Sequence, residues 1–148
     1  MRGVIGAAGA AVFASPDRPC CPSREGPGAS LRFYVDALGC TRDKDQAAIG
    51  LYQVRAGSSL VDLVPLDGRL GAMGGAGPAK EGRNLDHFAI EIEPFDEAVI
   101  RTHLQAFGVE VAEAGMRYGA RGTGPSVYVR EPDGNTVELK GPPAQAAR

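Results

Sequence analysis

The chain repeats a short unit at an offset of 76 residues, and each copy carries an acid at the same place. Residues 51–64 read LYQVRAGSSLVDLV, and residues 127–140 read VYVREPDGNTVELK. Aligned without a gap, Tyr52 falls on Tyr128, Val61 on Val137, Asp62 on Glu138 and Leu63 on Leu139. Each copy reads as two short strands around a turn, and PDGN in the second is a strong turn signal. A duplicated β unit restricts the fold to two similar modules in a pseudo-symmetric, barrel-like arrangement. One inward acid per copy gives that arrangement a polar centre, where a metal or a small substrate would bind.

Size and charge narrow the classes. A chain of 148 residues fits one domain and buries roughly two-thirds of its unfolded surface. The net charge is −2 with no Lys/Arg run, which argues against a nucleic-acid partner. No apolar stretch is long enough to cross a bilayer. Of the three cysteines, Cys20 and Cys21 are adjacent and Cys40 stands alone. This pattern gives no disulfide framework and points to reduced thiols in the cytoplasm. The start, MRGVIGAAGAAVFASP, has the outline of a weakly hydrophobic signal peptide, so export is the competing reading.

Residues 1–29 differ from the rest: SPDRPCCPSREGPGA is dense in Pro, Gly and Ser and has neither helical nor strand periodicity. The organised domain spans 30–141. Its modules cover 30–68 and 85–141, with a Gly-rich linker over 69–84 and a tail over 142–148. In the first module Ser30 reads as an N-cap, with Leu31, Tyr34, Val35 and Leu38 at helical spacing and Gly39 as the stop. Residues 47–54 and 59–65 read as strands. In the second, LDHFAIEIE places Phe88, Ile90 and Ile92 on one strand face and His87, Ala89 and Glu91 on the other. A helix follows over 96–107, with Ile100, Leu104 and Phe107 facing inward. A short strand at 109–112 then precedes a flexible loop, GMRYGARGTGP, and strands at 126–130 and 136–140 close the module. The expected class is α+β, with helices outside a curved mixed sheet. The second half reads β-α-β-β-β, and the first α-β-β-β, without a readable opening strand.

His87 and Glu138 are the main candidates for chemistry. Both lie on strands whose other face is apolar, so both point to the polar interior, and a His and a Glu facing one cavity suit a divalent ion. A hydrogen-bonded structural His and a surface Glu explain the spacing equally well. Asp62 is the third candidate, as the counterpart of Glu138. A polar residue on a half-buried strand is its plain alternative. Tyr128 and Arg130 share a strand face, as do Glu138 and Lys140 on theirs, and these could line a pocket for an anionic substrate, although short solvated strand ends look the same. His103 sits mid-helix at the edge of the apolar face and reads as non-functional. The Gly-rich linker lacks phosphate-loop spacing.

Three segments together resemble the vicinal oxygen chelate superfamily, which includes glyoxalase I, extradiol dioxygenases, fosfomycin-modifying enzymes and metal-free bleomycin-resistance proteins. SLRFYVDALGC is similar to its first helix. LDHFAIEIE and VYVREPDGNTVELKG are similar to its fifth and eighth strands. The resemblance implies two βαβββ modules, with metal ligands on the first and last strands of each. It puts His87 and Glu138 at ligand positions, with Glu138 also able to move a proton, and Asp62 at a position that is a ligand in some members only. It implies a glyoxalase-like, metal-dependent lyase or isomerase acting on a small oxygen-rich molecule, or else a metal-free small-molecule binder. It also implies modules that pair within a chain or swap within a homodimer. The implied cofactor is Zn, Mn, Fe or Ni. The first-strand His has no counterpart in DRPCC, residues 17–21. Three explanations remain: a lost metal, substitution by Asp17, Cys20 or Cys21, or a shifted frame or start over residues 1–29. Weak or absent metal binding is therefore expected.

Overall fold

The computed structural model describes residues 28–74 and 85–146. The expected lack of structure in 1–29 therefore falls almost wholly outside the described residues, as does any strand that would open the first module. So do Asp17, Cys20 and Cys21.

The first module starts with α1, Gly28–Arg32, which widens into a π-helical turn over Phe33–Ala37. Leu38 N–H closes that turn onto the Phe33 carbonyl at 3.0 Å. Gly39, at φ 72°, then reverses the chain in a conformation that side chains avoid. Ser30 is a helical residue, not the expected cap. It is buried, and its hydroxyl donates to Asp133 Oδ2 at 2.8 Å. Strands β1 (Thr41–Gln46), β2 (Leu51–Ala56) and β3 (Ser59–Leu63) form an antiparallel three-stranded sheet. The strand expected over 47–54 is thus split, because Ala47–Ile49 form a 3₁₀ turn that Gly50 ends at φ 68°. A short helix, α2 (Arg69–Met73), opens the stretch expected as linker.

The second module holds β4 (His87–Glu91), α3 (Glu97–Ala106), β5 (Val111–Gly119), β6 (Gly122–Arg130) and β7 (Thr136–Lys140). Sheet order is β4-β7-β6-β5, with β4 parallel to β7 and the others antiparallel. Asp96 caps α3 by accepting from Ala98 N–H and Val99 N–H. The stretch expected as a flexible loop, Gly115–Pro125, is instead the middle of the long β5–β6 hairpin. Its glycines mark close approaches: a Cβ on Gly124 would lie 2.6 Å from the Pro142 carbonyl oxygen. In the tail, Gln145–Ala146 (β8) pairs with the start of β6.

Alternation sorts each strand into two faces. Val127 and Val129 of β6, Val137 and Leu139 of β7, and Ile90 of β4 are buried in one core with Ile100 and Leu104 of α3. Each such side chain contributes roughly 1.5–3 kcal/mol. The same core takes in Leu31, Phe33 and Tyr34 of the first helix and Val54, Val61 and Leu63 of its sheet. Phe107 does not face inward as expected. It is 37% exposed at the end of α3, where its ring lies against His103. His103 joins the modules, with Nε2 2.9 Å from the Ala37 carbonyl oxygen.

The two hairpins are equivalent, but not in the gapless register. Asp62 pairs with Gln53, and Glu138 with Tyr128. With the acids superposed, Tyr128 therefore matches Gln53, not Tyr52. The PDGN turn is one residue longer than its counterpart. The neighbouring strands confirm this register: β1 bulges between Arg42 and Lys44, opposite Val54 and Gln53, and β5 bulges between Val111 and Glu113, opposite Val129 and Tyr128. Among the described residues no helix is long and apolar enough to cross a membrane.

Candidate functional site

The face of the second sheet opposite its core gathers polar side chains from four strands. Parallel pairing of β4 and β7 sets His87 beside Thr136 and Ala89 beside Glu138. Antiparallel pairing of β7, β6 and β5 adds Tyr128 next to Glu138, and Glu113 next to Tyr128. His87, Thr136, Tyr128, Arg130, Arg117 and Glu113 line a cavity of about 340 Å³, with Asp86 and Ala112 at its rim.

The structure brings His87 and Glu138 together: Nε2 lies 3.3 Å from Glu138 Oε2. The direct β4 neighbour of Glu138 is the small Ala89, so His87 meets the acid on the diagonal. His87 Nδ1 is 2.6 Å from Oδ2 of the exposed Asp86, so the imidazole spans two carboxylates. Its ring also meets Tyr128 edge-on at 5.3 Å between centroids.

Glu138 is 5% exposed. Its other oxygen, Oε1, accepts a hydrogen bond from Ser126 Oγ at 2.5 Å, and Lys140 Nζ stands 3.7 Å away. A buried carboxylate persists only where hydrogen bonds and opposite charge replace its water, and these neighbours do so. Tyr128 has its hydroxyl pKa raised, first by desolvation and then by the negative charge of Glu138, while Arg117 pulls the other way. The Arg117 guanidinium lies 5.7 Å over the Tyr128 ring and pairs with Glu113. Arg130 is exposed and donates to the Gly134 carbonyl.

Asp62 does not line this cavity. It is half-buried on β3 and accepts from Gln53 Nε2 at 2.8 Å. Among the described residues no three His, Cys, Asp or Glu side chains come together to hold a metal ion. Two donors, one of them flanked by an ammonium, do not fit a divalent ion. Sequence reasoning missed Ser126 and Arg117 as parts of the site. Ser126 was legible in principle, since it lies two residues from Tyr128 on the same strand. Arg117 was hidden in a Gly-rich stretch.

A larger groove, about 1220 Å³, runs between the first helix and the end of α3. It is lined mainly by apolar atoms, shares Ala112 and Arg130 with the smaller cavity and does not include His87, so the smaller cavity is the better candidate site.

The α+β fold holds two modules, and the first and last strands of its β-α-β-β-β unit bring a His and a Glu into contact. The chain belongs to the Glyoxalase/Bleomycin resistance protein/Dioxygenase superfamily, whose model matches residues 24–139. Solved structures agree in fold. An integron cassette protein from V. cholerae matches at 22% identity, 78% coverage of this chain, 85% of that chain and a TM-score of 0.59. A virulence protein from Salmonella typhimurium matches at 18% identity, 78% and 87% coverage and a TM-score of 0.61. Lactoylglutathione lyase from Agrobacterium tumefaciens matches at 21% identity, 76% and 83% coverage and a TM-score of 0.51. No curated protein sequence matches the chain closely enough to count as a relative.

Proposed function

We propose that the second-module cavity binds a small oxygen-rich anion directly through protein side chains, without a divalent metal. The observation that carries this reading is the state of Glu138. Its two oxygens already face His87, Ser126 and Lys140, and no third metal donor lies among the described residues. Arg130, Arg117 and the Tyr128 hydroxyl supply donors at the cavity wall. Guanidinium forks suit carboxylate, phosphonate or vicinal oxygen groups. The volume suits a molecule at the small end of the ligand range.

The competing reading is a metal-dependent lyase or isomerase in which Glu138 moves a proton. The 3.3 Å His87–Glu138 contact favours it, but it needs a third ligand from Asp62 or from beyond the described residues. The protein would act in the cytoplasm, where the buried thiol of Cys40 stays reduced, either alone or as a homodimer. The test is a thermal-shift screen of lactate, glycolate, methylphosphonate and phosphate in EDTA. At least one anion should raise the melting temperature of the wild type, and R130A with Y128F should lose most of that shift. No shift for any anion in EDTA, with shifts appearing once Zn²⁺ is added, would favour the metal-dependent enzyme.

A further inference from the structure

Lys140 is held inside the polar face of the second sheet. It is two residues from Glu138 on the same strand face, and its side chain is only 12% exposed. The ammonium is fixed at two points: Nζ donates to the Arg117 carbonyl on β5 at 2.7 Å and to Ser126 Oγ at 3.4 Å. Ser126, itself 1% exposed, donates a hydrogen bond to Glu138 Oε1. The chain ammonium–hydroxyl–carboxylate therefore runs from β7 to β6 and back inside the sheet's polar face, with the Arg117 carbonyl of β5 anchoring its ammonium end. The hairpin is shaped around it. A Cβ on Gly119 would lie 2.5 Å from Lys140 Cε, so the glycine leaves the corridor that the lysine stem occupies.

We propose that Lys140 is the built-in counter-charge of Glu138 and stands in for a divalent ion, so that removing its charge opens the carboxylate to metal. The inference rests on the metal-free reading above. A buried carboxylate with one cation at 3.7 Å is compensated; an added divalent ion would be repelled by the ammonium, and without the ammonium the carboxylate would be left short of positive charge.

The experiment is a double-mutant cycle on the full chain, read as thermal melts in EDTA and in excess NiCl₂. K140M and E138Q should each lower the melting temperature by about 5 °C or more, and K140M/E138Q should lose clearly less than the sum of the two. Nickel should raise the melt of K140M and leave wild type, K140R and the double variant unchanged. If K140M does not fold, folding of the double variant supports the assignment, and failure of the double overturns it. Additive losses, or a K140M protein that nickel leaves unmoved, would also overturn it. A wild-type melt that nickel raises, and that H87A makes insensitive, would instead sink the metal-free reading itself.

Discussion

Glu131 shows what one buried acid can do to the balance of this fold. It is 3% exposed, yet only its Oε1 is satisfied, by the backbone N–H and side-chain amide of Asn135; Oε2 has no partner among the described residues. Burial raises its pKa, with the Asn135 hydrogen bonds and Asp133 as smaller influences. An acid whose folded pKa lies above its unfolded value adds stability below the unfolded value and loses it as pH rises through the folded one. Glu131→Gln should therefore stabilise the protein at neutral pH by on the order of 1 kcal/mol, and the gain should vanish below the ordinary glutamate pKa. Chemical denaturation at both pH values checks this, and a gain that grows toward acid would contradict it. Tyr34 and Cys40 lie in the same region, and burial pushes the thiol up to about 11, so Cys40 stays a protonated, inert thiol.

At the scale of elements, the hairpin β5–β6 carries the clearest lesson. The period-two alternation of β4 and β7 was legible, and it sorted His87 and Glu138 onto one face because Phe88, Ile90, Val137 and Leu139 so plainly needed the other. Residues 115–125 were not legible as strand, because four glycines and a proline there look like loop. Those glycines answer contacts made by segments distant in sequence, which no local pattern announces: Gly124 against the 141–142 backbone, and Gly119 against Lys140. Gly124→Ala should cost about 1–3 kcal/mol, since backbone must move to admit the methyl. Gly108→Ala meets nothing within 4 Å, so any cost there comes from its φ of 72° alone. A denaturant melt of G124A within error of wild type would show that the hairpin is looser than drawn. The repeat was legible as two hairpins but misaligned by one residue in its first strand, because a turn insertion leaves the apolar alternation intact while shifting which residue faces the acid.

At the scale of the whole molecule, a shared core and inter-module hydrogen bonds hold the halves together, among them Ser30 to Asp133 and His103 to the Ala37 carbonyl. The polar face of the second sheet carries the proposed site, whereas Asp62 engages its own module through Gln53. The account therefore assigns binding to the second module and assigns the positive charge at Glu138 to the protein itself. The most direct measurement is isothermal titration of the best anion from the thermal-shift screen into protein stripped with EDTA, and into the same protein supplied with one equivalent of Zn²⁺, Mn²⁺ or Ni²⁺. The account predicts one-to-one binding with the same affinity in every case, and loss of that binding in R130A with Y128F. Binding that appears only with metal, and disappears in H87A, would contradict it.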